Sequence, residues 1–168
     1  MSMKPRSAPQ SPRSPYITAG GYRALQEESR ALWDRRREVT RALAAAAAEG
    51  DRSENAEYIY RKKELREIDR RIRYLQKRLP ELKVVDSPPC DHERVYFGAR
   101  VTLEDADGQA LTLRIVGADE FDPKSNRISV DSPMARALLR RSVDDEVVVR
   151  TPKGERRYWL CAIDYESA

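Results

Sequence analysis

This chain of 168 residues is 36% charged and only 7% aromatic, which is typical of one or two small, surface-rich domains. Its longest apolar run is far below the roughly 20 residues that cross a bilayer, so we expect no membrane contact. Two widely spaced cysteines, Cys90 and Cys161, predict a reduced, cytoplasmic protein without a disulfide framework. A single histidine, His92, argues against a zinc site of His and Cys ligands.

The charge is distributed unevenly. Residues 1–89 contain 20 Lys and Arg against 13 Asp and Glu, a net charge of +7, whereas residues 90–168 contain 12 against 15, a net charge of −3. The basic half indicates a polyanionic partner such as nucleic acid, or else a solvated helical surface. Residues 1–15 are rich in Pro and Ser, have no apolar stretch that would make a secretory signal, and are expected to be disordered.

Two long amphipathic helices are predicted within residues 16–85, because apolar side chains recur at steps of three and four. The first helix should begin after the N-cap Thr18 and end at Gly50, and Pro80 should stop the second. The apolar seam consists of Tyr22, Leu25, Leu32, Val39 and Leu43, then Leu65, Ile68, Ile72, Leu75 and Leu79. The pattern predicts an antiparallel coiled-coil hairpin about 45 Å long, with small side chains at 44–48 narrowing its far end.

After residue 90 the pattern changes to the alternation typical of strands. A short helix is predicted at 134–141, opened by Ser132 and Pro133. The strand-like segments, which turn sequences separate, are 95–105, 110–120, 126–132, 146–151 and 156–165. Residues 90–168 are therefore predicted to form a small antiparallel β-sheet domain with one short helix, which makes the whole chain α+β.

An acidic cluster lies at the predicted tip of the hairpin, residues 50–58. Asp51 and Glu54 are three residues apart and can converge as two oxygen ligands, which suits Mg²⁺ with open coordination positions. The same spacing is a capping box, with Asp51 as N-cap and Glu54 at the third helical position. The two residues alone favour capping, and a carboxylate occupied by backbone N–H groups is a poorer metal ligand.

A row of cations follows on the second helix. At 100° per residue these side chains share one face, about 140° from the apolar seam, so they should face solvent when the hairpin closes. We call this row the basic stripe; it consists of Lys62, Arg66, Arg70, Arg73 and Lys77. Such a stripe can follow a phosphate backbone without reading its sequence, or it can serve solubility alone.

Three segments resemble the bacterial Gre transcript cleavage factors of the GreB branch. They are TAGGYRALQEE, GDRSENAEYIYRKKELREIDRRIRYLQKRL and RIVGADEFDPKSNRISVDSPMARALL. The resemblance implies a coiled-coil hairpin followed by an FKBP-like domain that docks at the rim of the RNA polymerase secondary channel. The hairpin would enter that channel and stimulate cleavage of the nascent RNA 3′ end in backtracked, arrested complexes. The protein would then be a monomeric cofactor of the polymerase's own cleavage activity, and not itself an enzyme.

The resemblance also implies roles for individual residues. Asp51 and Glu54 match the family's essential tip acids, which would hold a Mg²⁺ shared with the polymerase and not stably bound by the factor alone. The basic stripe would contact the displaced RNA. Residues implied to support the tip are Arg52, Ser53, Asn55, Glu57 and Tyr58. Residues implied to dock on the polymerase, here called the docking loop, are Asp131, Ser132, Pro133 and Met134.

Three other functions fit parts of the pattern. A channel-binding inhibitor of polymerase would share the scaffold, but it would not need the Asp51 and Glu54 pair. An FKBP-like domain acting as a prolyl isomerase or chaperone needs an aromatic pocket, and we expect the core to use most of the aromatic side chains in 90–168. A free basic coiled coil would bind RNA tightly without polymerase.

Overall fold

The computed structural model describes residues 12–49 and 55–166, which form two compact units. Residues 19–84 make the helical unit, and the described residues before 19 belong with those from 85 onward in the second unit. Tyr16–Thr18, a short strand β1, therefore lies outside the hairpin domain in which the sequence placed it. The predicted disorder of 1–15 is wrong for Ser14, which is hydrogen-bonded, while residues 1–11 lie outside the described part.

The helical unit consists of two long helices. Helix α1 spans Ala19–Ala48 and helix α2 spans Ala56–Arg78. A 3₁₀ turn at Leu79–Glu81 ends α2, as Pro80 predicted, because proline cannot donate the next helical hydrogen bond. A short strand β2, Lys83–Val85, follows. The predicted end of α1 at Gly50 lies outside the described residues, and α1 ends just before it.

The predicted seam packs the two helices against each other. Val39, Ile68 and Ile72 form a buried cluster, with Leu32 and Leu65 partly buried around it. Leu25 and Leu75 are also buried. Where polar Arg36 interrupts the seam, its Nε donates to Asp69 Oδ1 of α2 at 2.7 Å. The interruption therefore forms an ion pair between the helices.

The second unit is built on a five-stranded sheet. Its strands are β3 (Arg100–Asp105), β4 (Ala110–Val116), β5 (Arg127–Ser129), β6 (Glu146–Thr151) and β7 (Gly154–Asp164). Their order is β5-β4-β3-β7-β6. Helix α3 (Pro133–Leu138) contributes Ala135 and Leu138 to the core beside Leu103, Ile115 and Leu160.

The sheet is mixed, so the prediction of a wholly antiparallel sheet is wrong for one pair of strands. β4 and β5 run parallel, with Ile115 opposite Ile128. The segment between them, residues 117–126, makes two 3₁₀ turns that return the chain to the starting end of β4. The other pairs are antiparallel, and the α+β class is confirmed.

Two further expectations need correction. The strand predicted at 95–105 begins only at Arg100, because Gly98 adopts a positive φ of 86° and turns the chain. The aromatic side chains are less buried than expected: Tyr158 lies in the core, but Phe121 and Trp159 are exposed. Within the described ranges, no helix is long and apolar enough to cross a membrane.

Candidate functional site

Asn55 closes the described end of the hairpin. Its Oδ1 accepts from the Tyr58 backbone N–H at 3.1 Å, which makes it the N-cap of α2. Its Nδ2 donates to the Ala46 carbonyl of α1 at 2.9 Å. Ala46 is buried, as the prediction of a narrow alanine segment requires. One side chain therefore satisfies a helix terminus and ties the two helices together.

Helix α2 begins at Ala56 with Asn55 as its N-cap, so α2 does not take its cap from the acidic pair. Asp51 and Glu54, like Arg52 and Ser53, lie outside the described residues. Their carboxylates are not required as the cap of α2, and the oxygen donors suit Mg²⁺, so the residue types fit the metal that the resemblance implies. Among the residues that are described, no three His, Cys, Asp or Glu side chains gather as a metal site.

The two other tip residues sit on the first turn of α2. Glu57 is exposed and accepts from Arg61 Nε at 2.9 Å, one turn along the helix. Tyr58 is partly buried, and Lys62 Nζ lies 5.8 Å from its ring centroid. Such a contact orients a cation without neutralising it. Glu57 therefore has a helical ion pair, whereas Tyr58 positions the first member of the basic stripe.

The basic stripe is exposed along its whole length. All five side chains are solvent-exposed, and none has a carboxylate partner within 12–49 or 55–166. Other cations of the same helix do have such partners: Arg61 pairs with Glu57 and Glu64, and Arg71 with Glu28. The positive charge of the stripe thus remains available to an external polyanion.

Glu64 pairs with one arginine on each helix of the hairpin. It accepts from Arg35 of α1 at 2.7 Å and from Arg61 of α2 at 3.1 Å. Burial acts to raise the pKa of the Glu64 carboxyl, but the hydrogen bonds from the two guanidinium groups outweigh it and lower that pKa. No local sequence pattern points to Glu64, because its partner Arg35 on α1 is 29 positions away.

The four side chains of the docking loop have different partners. Asp131 accepts from Ser14, from the backbone N–H at 2.9 Å and from Oγ at 2.5 Å. Ser132 is the N-cap of α3, and its Oγ accepts from the Ala135 N–H at 3.2 Å. Met134 packs on the core, while Pro133 is exposed. The four residues adjoin in space as they do in sequence.

No sequence pattern points to the N-terminal segment that contacts this loop. We call residues 13–18 the strap. Ser14 and Asp131 are 117 positions apart, and no spacing pattern links them. A Pro/Ser-rich composition conceals such a contact, because it describes the average segment and takes no account of a distant partner.

Comparison with known proteins places both units in one family. Residues 15–84 match the model "Transcription elongation factor, N-terminal", and residues 90–165 match "Transcription elongation factor, GreA/GreB, C-term". The chain is 55% identical over 161 residues to transcription elongation factor GreB of Pseudomonas aeruginosa, covering 95% of this chain and 96% of the relative.

Two further relatives also cover most of the chain. GreB of Xanthomonas axonopodis pv. citri is 58% identical over 153 residues, covering 90% of this chain and 91% of the relative. The crystal structure of GreA factor homolog 1 of Thermus thermophilus has 28% sequence identity to this chain and a TM-score of 0.42, covering 90% of this chain and 99% of that one.

Proposed function

We propose that this chain, which belongs to the GreA/GreB family of transcription elongation factors and is of the GreB type, binds bacterial RNA polymerase and stimulates cleavage of the RNA 3′ end in backtracked complexes. The observation that carries the proposal is the Asn55 cap. It supplies the N-terminus of α2 independently of the acidic pair that precedes it in the chain. Because α2 does not need Asp51 and Glu54 as its cap, the two acids can take part in the cleavage reaction.

The tip would act as half of a metal site. Asp51 and Glu54 would hold Mg²⁺ by their carboxylate oxygens, with the polymerase and RNA supplying the other ligands. When bound, the ion stabilises charge on oxygens at the scissile phosphodiester. The two carboxylates would also orient the attacking water by accepting its hydrogen bonds. Two carboxylates alone are too few ligands for tight Mg²⁺ binding, so the ion would be held only in the complex with polymerase.

The basic stripe would hold the displaced RNA. Its cations are exposed and have no carboxylate partner in the described chain, so each can approach a phosphate without first breaking an ion pair. The cations give affinity without reading bases, and cleavage therefore need not depend on RNA sequence. The docking loop would hold the second unit on the polymerase, with exposed Pro133 as a direct contact.

The test is transcript cleavage on arrested complexes over a range of Mg²⁺ concentrations. Asp51→Ala and Glu54→Ala should each abolish stimulated cleavage while polymerase binding and helix content stay close to those of the unmodified chain. Glu49→Ala is the matched control, because it removes a nearby exposed acid of the hairpin. Normal cleavage by the Asp51 variant would show that the metal role is wrong.

The same assay separates the alternatives. A channel-binding inhibitor on this scaffold would bind polymerase without stimulating cleavage. A prolyl isomerase would turn over proline peptides, and the exposure of Phe121 and Trp159 makes that assay worth running. A free basic coiled coil would bind RNA tightly without polymerase, with strong salt dependence.

A further inference from the structure

The strap is held on the second unit by three carboxylates. Arg13 Nη1 lies 4.0 Å from Asp119 Oδ1. Ser14 donates twice to Asp131, and Thr18 donates twice to Glu120, with its backbone N–H at 3.0 Å. The side chain of Asp119 is almost fully buried but that of Arg13 is exposed, so the firm attachments of the strap are the hydrogen bonds of Ser14 and Thr18.

The backbone of the strap is seated closely as well. Ile17 is fully buried. Gly117 passes directly beneath it, and a Cβ placed there would lie 2.3 Å from the Tyr16 carbonyl oxygen. The Gly117 N–H donates to Glu120 at 2.8 Å, so the same carboxylate holds both segments. The strap therefore has one register on the second unit, which places Ser14 at Asp131.

The contacts of the strap affect which side chains of the docking loop are available to a partner. Both oxygens of Asp131 accept from Ser14, Ser132 Oγ is used as a helix cap, and Met134 packs on the core. Only Pro133 of the four is exposed. Part of the acceptor capacity of Asp131 is therefore used within the chain, and Pro133 is the residue of the loop most open to a partner.

We propose that Ser14 is a positioning residue for polymerase docking. The strap fixes Asp131, Asp131 fixes the loop, and the loop presents Pro133. The strap is thus a functional part of the binding surface, although it is 117 positions away from the loop in sequence. The inference rests on the proposed docking role of residues 131–134.

The experiment measures the dissociation constant of the full chain for RNA polymerase. Ser14→Asp places a second carboxylate against Asp131 and should weaken binding about tenfold. Ser87→Asp is the control: it adds the same charge at an exposed serine of the same unit and should leave binding unchanged. Circular dichroism confirms that both variants fold.

A double variant tests the mechanism. When Ser14→Asp is combined with Asp131→Asn, the new amide at position 131 can donate to the new carboxylate at position 14. The same amide can accept from the backbone N–H of position 14, so the link is rebuilt with the side-chain donor and acceptor exchanged. Binding should return to within about threefold of the unmodified chain. A direct charge contact through Asp131 predicts no recovery, because that position is now neutral.

The outcomes also distinguish this inference from the proposed function. Ser14→Asp binding as tightly as the unmodified chain, or a double variant as weak as Ser14→Asp, overturns the positioning role while polymerase binding itself stands. An unmodified chain that does not bind polymerase overturns both.

Discussion

Asn55 is the residue on which the described end of the hairpin depends. An N-cap side chain contributes about 1 kcal/mol to helix stability, and an added hydrogen bond between elements contributes a similar amount. Asn55 supplies both, because its oxygen caps α2 while its amide nitrogen holds the Ala46 carbonyl. The side-chain amide of Asn55 can do both, because it has an acceptor oxygen and a donor nitrogen that reach Tyr58 and Ala46.

Asn55→Ala should therefore destabilise the hairpin by about 2 kcal/mol, since it removes the cap and the bridge. Asn55→Ser should cost about half as much, because a serine hydroxyl can cap α2 but is too short to reach Ala46. Urea unfolding followed by helical circular dichroism measures both. Equal losses for the two variants would mean that the bridge to Ala46 contributes nothing.

Gly117 and Gly20 make a matched pair at the same scale. Gly117→Ala should destabilise the second unit by about 1–3 kcal/mol, because the new methyl group meets the Tyr16 carbonyl. Gly20→Ala, in the first turn of α1 with open space around it, should be neutral or stabilising by up to about 1 kcal/mol. Thermal unfolding distinguishes the two variants. Similar changes in Tm for both would argue against the close contact between Gly117 and the strap.

At the scale of elements, Glu64 joins the two helices electrostatically. Its carboxylate accepts from one arginine on each helix, and folding therefore favours the ionised form. The folded pKa lies below the unfolded one. The contribution of Glu64 to folding stability is therefore fully present above the ordinary Glu pKa of about 4.3. It is lost as pH falls through the lower pKa of the folded state.

Acidification should therefore lower hairpin stability most steeply below about pH 4.3. The dependence belongs to Glu64 if Glu64→Gln is less stable at neutral pH and flatter with pH than the unmodified chain. Urea unfolding at several pH values gives both quantities. An unchanged slope in the Gln variant would assign the effect to other carboxylates.

The basic stripe is a second feature at this scale, because its effect depends on several charges in a row. Arg66→Glu with Arg70→Glu should weaken cleavage of extensively backtracked RNA more than that of briefly backtracked RNA, because in the proposed function only the longer displaced segment would reach along the helix. The control is Arg30→Glu with Arg41→Glu. These are two exposed cations of α1, and their replacement changes the net charge by the same amount. Equal defects in the two double variants would mean that the stripe acts only through the net charge of the protein.

At the scale of the whole molecule, the proposed function gives polymerase docking to the second unit and the cleavage step to the helical unit. A docking defect raises the dissociation constant and is overcome by more protein, whereas a catalytic defect is not. The two units should therefore give variants that concentration can tell apart.

Pro133→Ala should stimulate cleavage weakly at low factor concentration and approach the normal maximum when the factor is in excess. Asp51→Ala should remain inactive at every concentration. A titration of factor into arrested complexes tests both. A Pro133 variant whose maximum stays low would mean that the loop contributes to the cleavage step and not only to binding.

Local periodicity was sufficient to predict the helical unit. The spacing of Leu25, Val39, Ile68 and Ile72 determines which face is buried, and Pro80 determines where α2 ends, because both effects act within a few residues. The exposure of the basic stripe followed from the same 100° geometry. The acidic pair was also visible in the sequence, but the identity of the α2 N-cap was not.

Only the tertiary structure decided which side chains meet across long stretches of chain. It gave the cap to Asn55, made β4 and β5 parallel, and brought Ser14 to Asp131. Each of these depends on which residue of several candidates satisfies a buried donor or acceptor, and that choice is made by packing at distances that no local pattern records. The sequence alone determined the elements and their charges, whereas the fold determined which of those charges pair with a distant residue of the chain.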